Sequence, residues 1–119
     1  MQNQPIPVVS SVDVERIVRR DFREEQIAAV MAVLNEYGTE KWERERSRVQ
    51  IATLRMAHSN LEVLRRYVAA AKQDYRDVLA AAEYPEYSTK GFRIRELSKA
   101  EQRRIMDADW KQYESWLRG

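Results

Sequence analysis

From Leu61 to Ala82, apolar residues recur at alternating steps of three and four: Leu61, Leu64, Val68, Ala71, Tyr75, Val78 and Ala82. That spacing marks one face of an α-helix. Val63, Tyr67, Leu79 and Ala81 flank it, so roughly half the circumference is apolar at about 100° per residue. The pattern predicts one continuous helix over 60–83, about 35 Å long at ~1.5 Å per residue. A helix that long and that apolar is expected to be central, with the others packed around it. Ser59 and Glu62 read as a capping box at its start. Tyr84 before Pro85 closes it, because the residue preceding proline is pushed out of the helical region.

The remaining stripes are shorter. Val14, Ile17 and Val18 predict a helix over 11–20, capped by Ser10 or Ser11 and started by Asp13 and Glu15, which suit the helix dipole. The phase breaks between Asp21 and Glu25. It resumes at Ile27, Val30, Met31, Leu34 and Tyr37, predicting a second helix over 23–37, with one kinked helix over 11–37 as the alternative. Gly38 is its expected C-terminal cap. Thr39 is expected to cap a third helix over 40–57, in which Trp42, Val49, Ala52, Thr53 and Met56 share a face. Ile51 and Leu54 lie opposite, so the half from Val49 onward is expected to be sandwiched. The half from Glu40 to Arg48 reads as a solvated face of local charge pairs. Ser98 and Glu101 form a second capping box, opening a helix over 99–117 with Ile105, Met106, Trp110, Tyr113, Trp116 and Leu117 inward.

Residues 84–97 show no periodicity, and connections of that length are often functional or mobile. Residues 1–10, with Pro5 and Pro7, read as a flexible arm. The expected fold is therefore all-α: a single domain over 11–119, five helices arranged around the one at 60–83. Its core draws on Ile17, Ile27, Val30, Leu34, Val49, Ala52, Leu64, Val68, Ala71, Tyr75, Val78 and Trp110.

At 119 residues the chain is long enough to bury a core without covalent staples. Cysteine is absent, which removes disulfides, thiolate ligands and a thiol nucleophile and fits a reducing compartment. No apolar run approaches the roughly 18 residues of a membrane span, and Met1–Ser11 lacks the basic and apolar blocks of a signal peptide. A cytoplasmic address away from membranes is expected. Lys and Arg number 21 against 19 Asp and Glu. Arginine dominates the bases, 16 to 5 over lysine, and arginine suits multi-donor pairing with carboxylates. Internal ion pairs are thus expected at least as much as nucleic-acid contacts.

Candidate chemistry is sparse. His58 is the single histidine and has no helically spaced ligand partner; at a helix C-terminus it reads as structural. Asp74 and Asp109 fall by helical phase inside apolar arcs, where an ionised carboxylate is costly unless paired. They are the candidate buried ion-pair carboxylates, each expected to meet an Arg, Trp or Tyr of a neighbouring helix. The alternative is a metal or acid–base site built on both. Residues 49–68 have the outline of a helix-turn-helix, but its second helix is too apolar to lie bare in a groove. Nucleic-acid binding through Arg65, Arg66, Arg93 and Arg95 is accordingly a disfavoured reading, since a net charge of +2 gives little long-range attraction. Tyr84, Tyr87, Phe92, Arg93 and Arg95 form the candidate partner surface, because exposed aromatics beside arginines resemble interface anchors. No catalytic residue, metal ligand or cofactor is assigned. The leading expectation is a small non-enzymatic protein–protein interaction or regulatory domain, with a protein partner or a second copy of itself.

Tyr37–Gly38, Arg48–Val49–Gln50–Ile51–Ala52 with Leu54, and Asp74–Tyr75–Arg76–Asp77–Val78–Leu79 through Ala82–Glu83–Tyr84–Pro85 resemble a group of short bacterial all-helical proteins of unknown function. The Asp-Tyr-Arg-Asp run is its most specific part. The resemblance spans about residues 20–87 and leaves the last helix outside. It implies a bacterial, soluble, helical protein and carries no activity, cofactor or site residue.

Overall fold

The computed structural model describes residues 5–119 and is all-α, with no strand among those residues. Ser10 caps α1 (Ser11–Asp21): its Oγ accepts from the Val12 N–H, and Asp13 accepts in return from the Ser10 N–H at 3.0 Å. Phe22 and Arg23 are extended, so α1 and α2 (Ile27–Leu34) are separate helices, the second led in by a 3-10 turn at Glu24–Gln26. Then come α3 (Arg46–Ala57), α4 (Leu61–Glu83), the short α5 (Pro85–Thr89), a 3-10 turn (Gly91–Glu96) and α6 (Lys99–Arg118). The most extensive packing is between α3 and α4, and α4 also meets α2, α5 and α6.

The helix at the centre of the fold is where expected. Leu64, Val68, Ala71, Val78 and Ala82 are buried on its inner face. It is not the continuous rod that its periodicity predicts. Asp74 has φ −155 and ψ 98, which breaks the helix inside its own length. The Asp74 Oδ1 then accepts from the Arg76 N–H at 3.1 Å. An Asp in extended geometry bonding two residues ahead is an N-cap. The second half of α4 is thus restarted by Asp74, and the apolar face is carried across the break.

The third helix begins later than Thr39. Residues 39–45 form a loop, and α3 starts at Arg46 after Glu45 in the left-handed region. The cause is visible in the chain leaving α2. Gly38 has φ +100, and an added Cβ there would meet the Arg46 Cγ at 2.6 Å, so this turn requires glycine. It presents the backbone N–H groups of Gly38, Thr39 and Glu40, all of which donate to Glu43 Oε1 at 2.9, 3.0 and 3.3 Å. Lys72 of α4 donates to the other oxygen at 2.8 Å. Residues 39–45 are solvent-exposed as expected, except Glu43, whose buried carboxylate clamps them. Trp42, which helical phase would set on one face with Val49, is 65% exposed. The half from Val49 is sandwiched as expected, with Val49, Ile51, Ala52, Thr53 and Leu54 all buried. Buried Gln50 donates to the Leu34 carbonyl at 2.8 Å and so satisfies the end of α2.

Burial acts to raise the Glu43 pKa, but the Lys72 ammonium and the backbone donors outweigh it and hold the group at about 2, below its ordinary 4.5. A depressed folded-state pKa means stability that is fully present above about 4.5 and lost as pH falls toward about 2. Thermal melts should show wild type losing its advantage over Glu43→Gln across that window. An advantage unchanged down to pH 2 would contradict the clamp.

One further expectation is corrected at a helix end. Ser59 has φ 64 and His58 φ 49, so the α3–α4 corner is two left-handed residues. Asn60, not Ser59, caps α4 by accepting from the Val63 N–H at 3.0 Å. Ser98 does cap α6, accepting from the Glu101 N–H at 3.1 Å. The other end of α6 is held from α1: Arg16 and Arg20 donate to the Leu117 and Trp116 carbonyls at 2.6 Å, favourable cations for a helix C-terminus. Among the described arm residues, Pro7 is buried and the Pro5 carbonyl accepts from the Tyr84 hydroxyl at 2.9 Å. Residues 1–4 lie outside the described residues. Of the expected core, Ile27, Tyr75 and Trp110 are partly buried against it, and the others are fully buried.

Candidate interaction surface

The expected connector is mostly helical. Pro85 opens α5, where a missing N–H costs nothing. Gly91, at φ 52 with open space around its Cα, starts the Gly91–Glu96 turn. That turn sets Phe92 out into solvent, 85% exposed, with the Arg95 guanidinium 5.8 Å from its ring centroid. Arg93 and Arg95 are exposed beside it. Next to Phe92 in the chain, Gly91 and Ile94 line a shallow cavity of about 310 Å³, completed by Ala80, Tyr84, Tyr87 and Ser88. Its lining is mostly apolar.

Tyr84 takes a different place from the one expected. It is 5% exposed, a wall of the cavity and not a surface anchor, and burial with the neighbouring Glu83 charge pushes its hydroxyl up to about 12. Tyr87 is half-buried at the rim. Between Lys90 and Arg104 stand Lys90, Arg93, Arg95, Lys99, Arg103 and Arg104 against Glu96 and Glu101. That formal excess of +4 exceeds the net charge of the whole chain, +2. The remainder is acidic on balance. The basic excess is thus concentrated in the stretch of chain that carries Phe92 and adjoins the apolar cavity.

Asp109 is the underside of this face. It is 3% exposed, as expected, but its partners are not side chains of a neighbouring helix. Its Oδ2 accepts from the Tyr87 N–H at 2.9 Å and its Oδ1 from the Glu86 N–H at 3.3 Å. It therefore pins the first turn of α5 onto α6, where a carboxylate also meets the helix dipole favourably. Asp74 is not buried. Its side chain is 39% exposed, and its ion-pair partner is Arg76, two residues away, at 3.1 Å. That hydrogen-bonded arginine lowers the Asp74 pKa. Asp74 lines a cleft of about 250 Å³ with Trp42, Glu43, Lys72 and Arg76 that Asp109 does not reach. The two carboxylates are not brought together, and among the described residues no group of three or more metal-capable side chains occurs.

The buried ion pair of the fold belongs to residues the helical pattern had not singled out. Glu83 is 1% exposed. Arg48 grips it two-pronged, Nε to Oε2 at 2.8 Å and Nη2 to Oε1 at 2.7 Å, tying α3 to the end of α4. The signal was present as Leu79 to Glu83, four residues apart on the inner arc, but a charged residue one turn short of Pro85 reads as part of the helix end. Arg65 and Arg66 sit in the second turn of α4, whereas Arg93 and Arg95 follow its far end.

No family model matches the chain, and no curated protein or solved structure does so either. Among the described residues, no helix is long and apolar enough to cross a membrane.

Proposed function

We propose that this protein is a small non-enzymatic interaction domain whose 84–97 surface receives an acidic segment of a partner protein that carries an apolar side chain. The observation that carries this reading is Phe92, 85% exposed and flanked by Arg93 and Arg95, beside the apolar cavity at Tyr84, Tyr87 and Ile94. Aromatic and arginine anchors dominate interface energetics, and complementary charge sets encounter rate and specificity. In this reading Phe92 and the cavity give affinity, the basic residues choose the partner's sign, and Asp109 holds α5 so that the cavity keeps its shape. The cysteine-free composition supports a reducing, cytoplasmic setting for such a partner.

The test uses a short fluorescent Asp/Glu-rich peptide bearing a single Leu, followed by polarisation. Phe92→Ala should weaken binding by about tenfold or more, the effect of losing an interface anchor of ~1.4 kcal/mol or above. Arg93→Glu with Arg95→Glu should weaken it further and flatten its salt dependence. Equal binding of the Phe92→Ala protein, or preference for single-stranded DNA over the peptide, would overturn the proposal.

A further inference from the structure

No proline or glycine lies within α4, the residues at which sharp helix kinks most often occur. The break at Asp74 is therefore not forced by the covalent chain. Good helix formers stand on both sides of it: Ala69, Ala70, Ala71, Lys72 and Gln73 before, Leu79, Ala80, Ala81 and Ala82 after. An unbroken helix is open to this sequence, and its stripe of threes and fours is spaced for one. What holds the break is the Asp74 cap on the Arg76 N–H, together with the contacts that the break brings about elsewhere.

Helical phase identifies those contacts. Counted at about 100° per residue from Leu64, Val68 and Ala71, an unbroken α4 would set Tyr75, Val78 and Ala82 toward the middle of the buried face. Glu83 would stand roughly 95° from that middle, at the margin. The structure has a different order: Tyr75 is only half-buried, while Leu79 and Glu83 are buried with Val78 and Ala82. The break thus turns the second half of α4 so that Glu83 meets Arg48, and the two-pronged pair belongs to the broken form.

The same half supplies one wall of the apolar cavity, Ala80 and Tyr84, opposite Tyr87 and Ser88 of α5. The short α5 is tied on both sides. Asp109 of α6 accepts from its Glu86 and Tyr87 N–H groups, and its Ser88 hydroxyl donates to the Ala80 carbonyl at 3.3 Å. Rotating the second half of α4 pulls these ties against each other and reshapes the cavity between them.

We infer that Asp74 is the hinge of a two-state α4. The capped, broken form makes the Arg48–Glu83 pair and the cavity at Tyr84, Tyr87 and Ile94; the unbroken form releases both. What the cavity receives follows from the interaction reading above, whereas the hinge itself needs no partner. Under that reading a partner seated in the cavity selects the broken form, and α4 regulates the 84–97 surface.

The test uses the intact chain without peptide and compares wild type, Asp74→Asn and Asp74→Ala. Asparagine caps a helix as well as aspartate does, whereas alanine cannot cap and is the best helix former. Two NMR observables are read. Backbone carbon shifts at position 74 separate extended from helical geometry, and exchange of the Arg48 Nε–H with water reports the pair. Wild type and Asp74→Asn should show extended shifts at position 74 and a protected Nε–H. In Asp74→Ala the shifts should turn helical and the Nε–H should exchange about fivefold faster or more, the ~1 kcal/mol of a lost cap. Extended shifts persisting in Asp74→Ala would overturn the hinge. Helical shifts with the Nε–H as protected as in wild type would overturn it too, since break and pair would then be uncoupled. Neither result bears on peptide binding by wild type, so failure of the hinge and failure of the interaction reading are told apart.

Discussion

Glu83→Ala should destabilise the protein by about 3–5 kcal/mol, because it leaves the Arg48 guanidinium uncompensated against the core. Glu83 is 1% exposed and both its oxygens are taken by Arg48. The partner keeps an alternative: Glu45 accepts from Arg48 at 2.9 Å but is itself 44% exposed. That pair, screened by water, replaces little of what is lost. Urea unfolding is the measurement, with a lower midpoint at unchanged slope expected. The double variant Arg48→Met, Glu83→Leu should recover most of the loss, since an apolar pair of similar volume avoids burying either charge. A loss below about 1 kcal/mol in the single variant would mean that water reaches the pair and that α3 and α4 are not joined there.

The second large effect is expected at Leu64. It is 0% exposed, on the first half of α4, where the inner face meets α3. Leu64→Ala should cost about 2–5 kcal/mol from lost transfer energy and the cavity left behind. Asp74→Ala is the telling contrast. Its carboxylate is exposed and capped on Arg76, so its removal should cost much less than Leu64→Ala in the same urea series. If the order were reversed, the buried face would not be the one carried by Leu64, Val68 and Ala71.

What the chain revealed by pattern alone is instructive at Asp74. A stripe of threes and fours reports which residues face inward, not whether the backbone between them is continuous. Leu64 and Val78 are both buried although the helix breaks between them, because the restart at Tyr75 keeps the apolar side turned inward. Extrapolating helical phase across the break placed Asp74 in the core. Aspartate's habit of bonding backbone donors ahead of it was the competing signal. Glu43 shows the same limit from another side. Charges alternating along 40–48 look like a solvated helix, but Gly38 ends the preceding chain in a turn that presents three unsatisfied donors, and a carboxylate five residues on is the group within reach. Backbone donors leave no mark in a hydropathy pattern.

At the candidate surface the reading was closer. Phe92, Arg93 and Arg95 are exposed, and the absence of periodicity over 84–97 correctly withheld a core role from them. Tyr84 was not separable by sequence, since its hydroxyl is bonded to the Pro5 carbonyl of the arm. That contact joins residues 79 positions apart, which no local pattern encodes. Asp109 was legible as a buried acid, while its partners, two backbone N–H groups of α5, were hidden because the helix itself was unrecognised.

The most direct test of the interaction reading is a nitrogen-edited NMR titration of the intact protein with the Leu-bearing acidic peptide. Amide shifts should cluster at residues 84–97 and disappear in Phe92→Ala, with Arg65 and Arg66 unmoved. Shifts centred on Arg65 and Arg66, or none at saturating peptide, would contradict it.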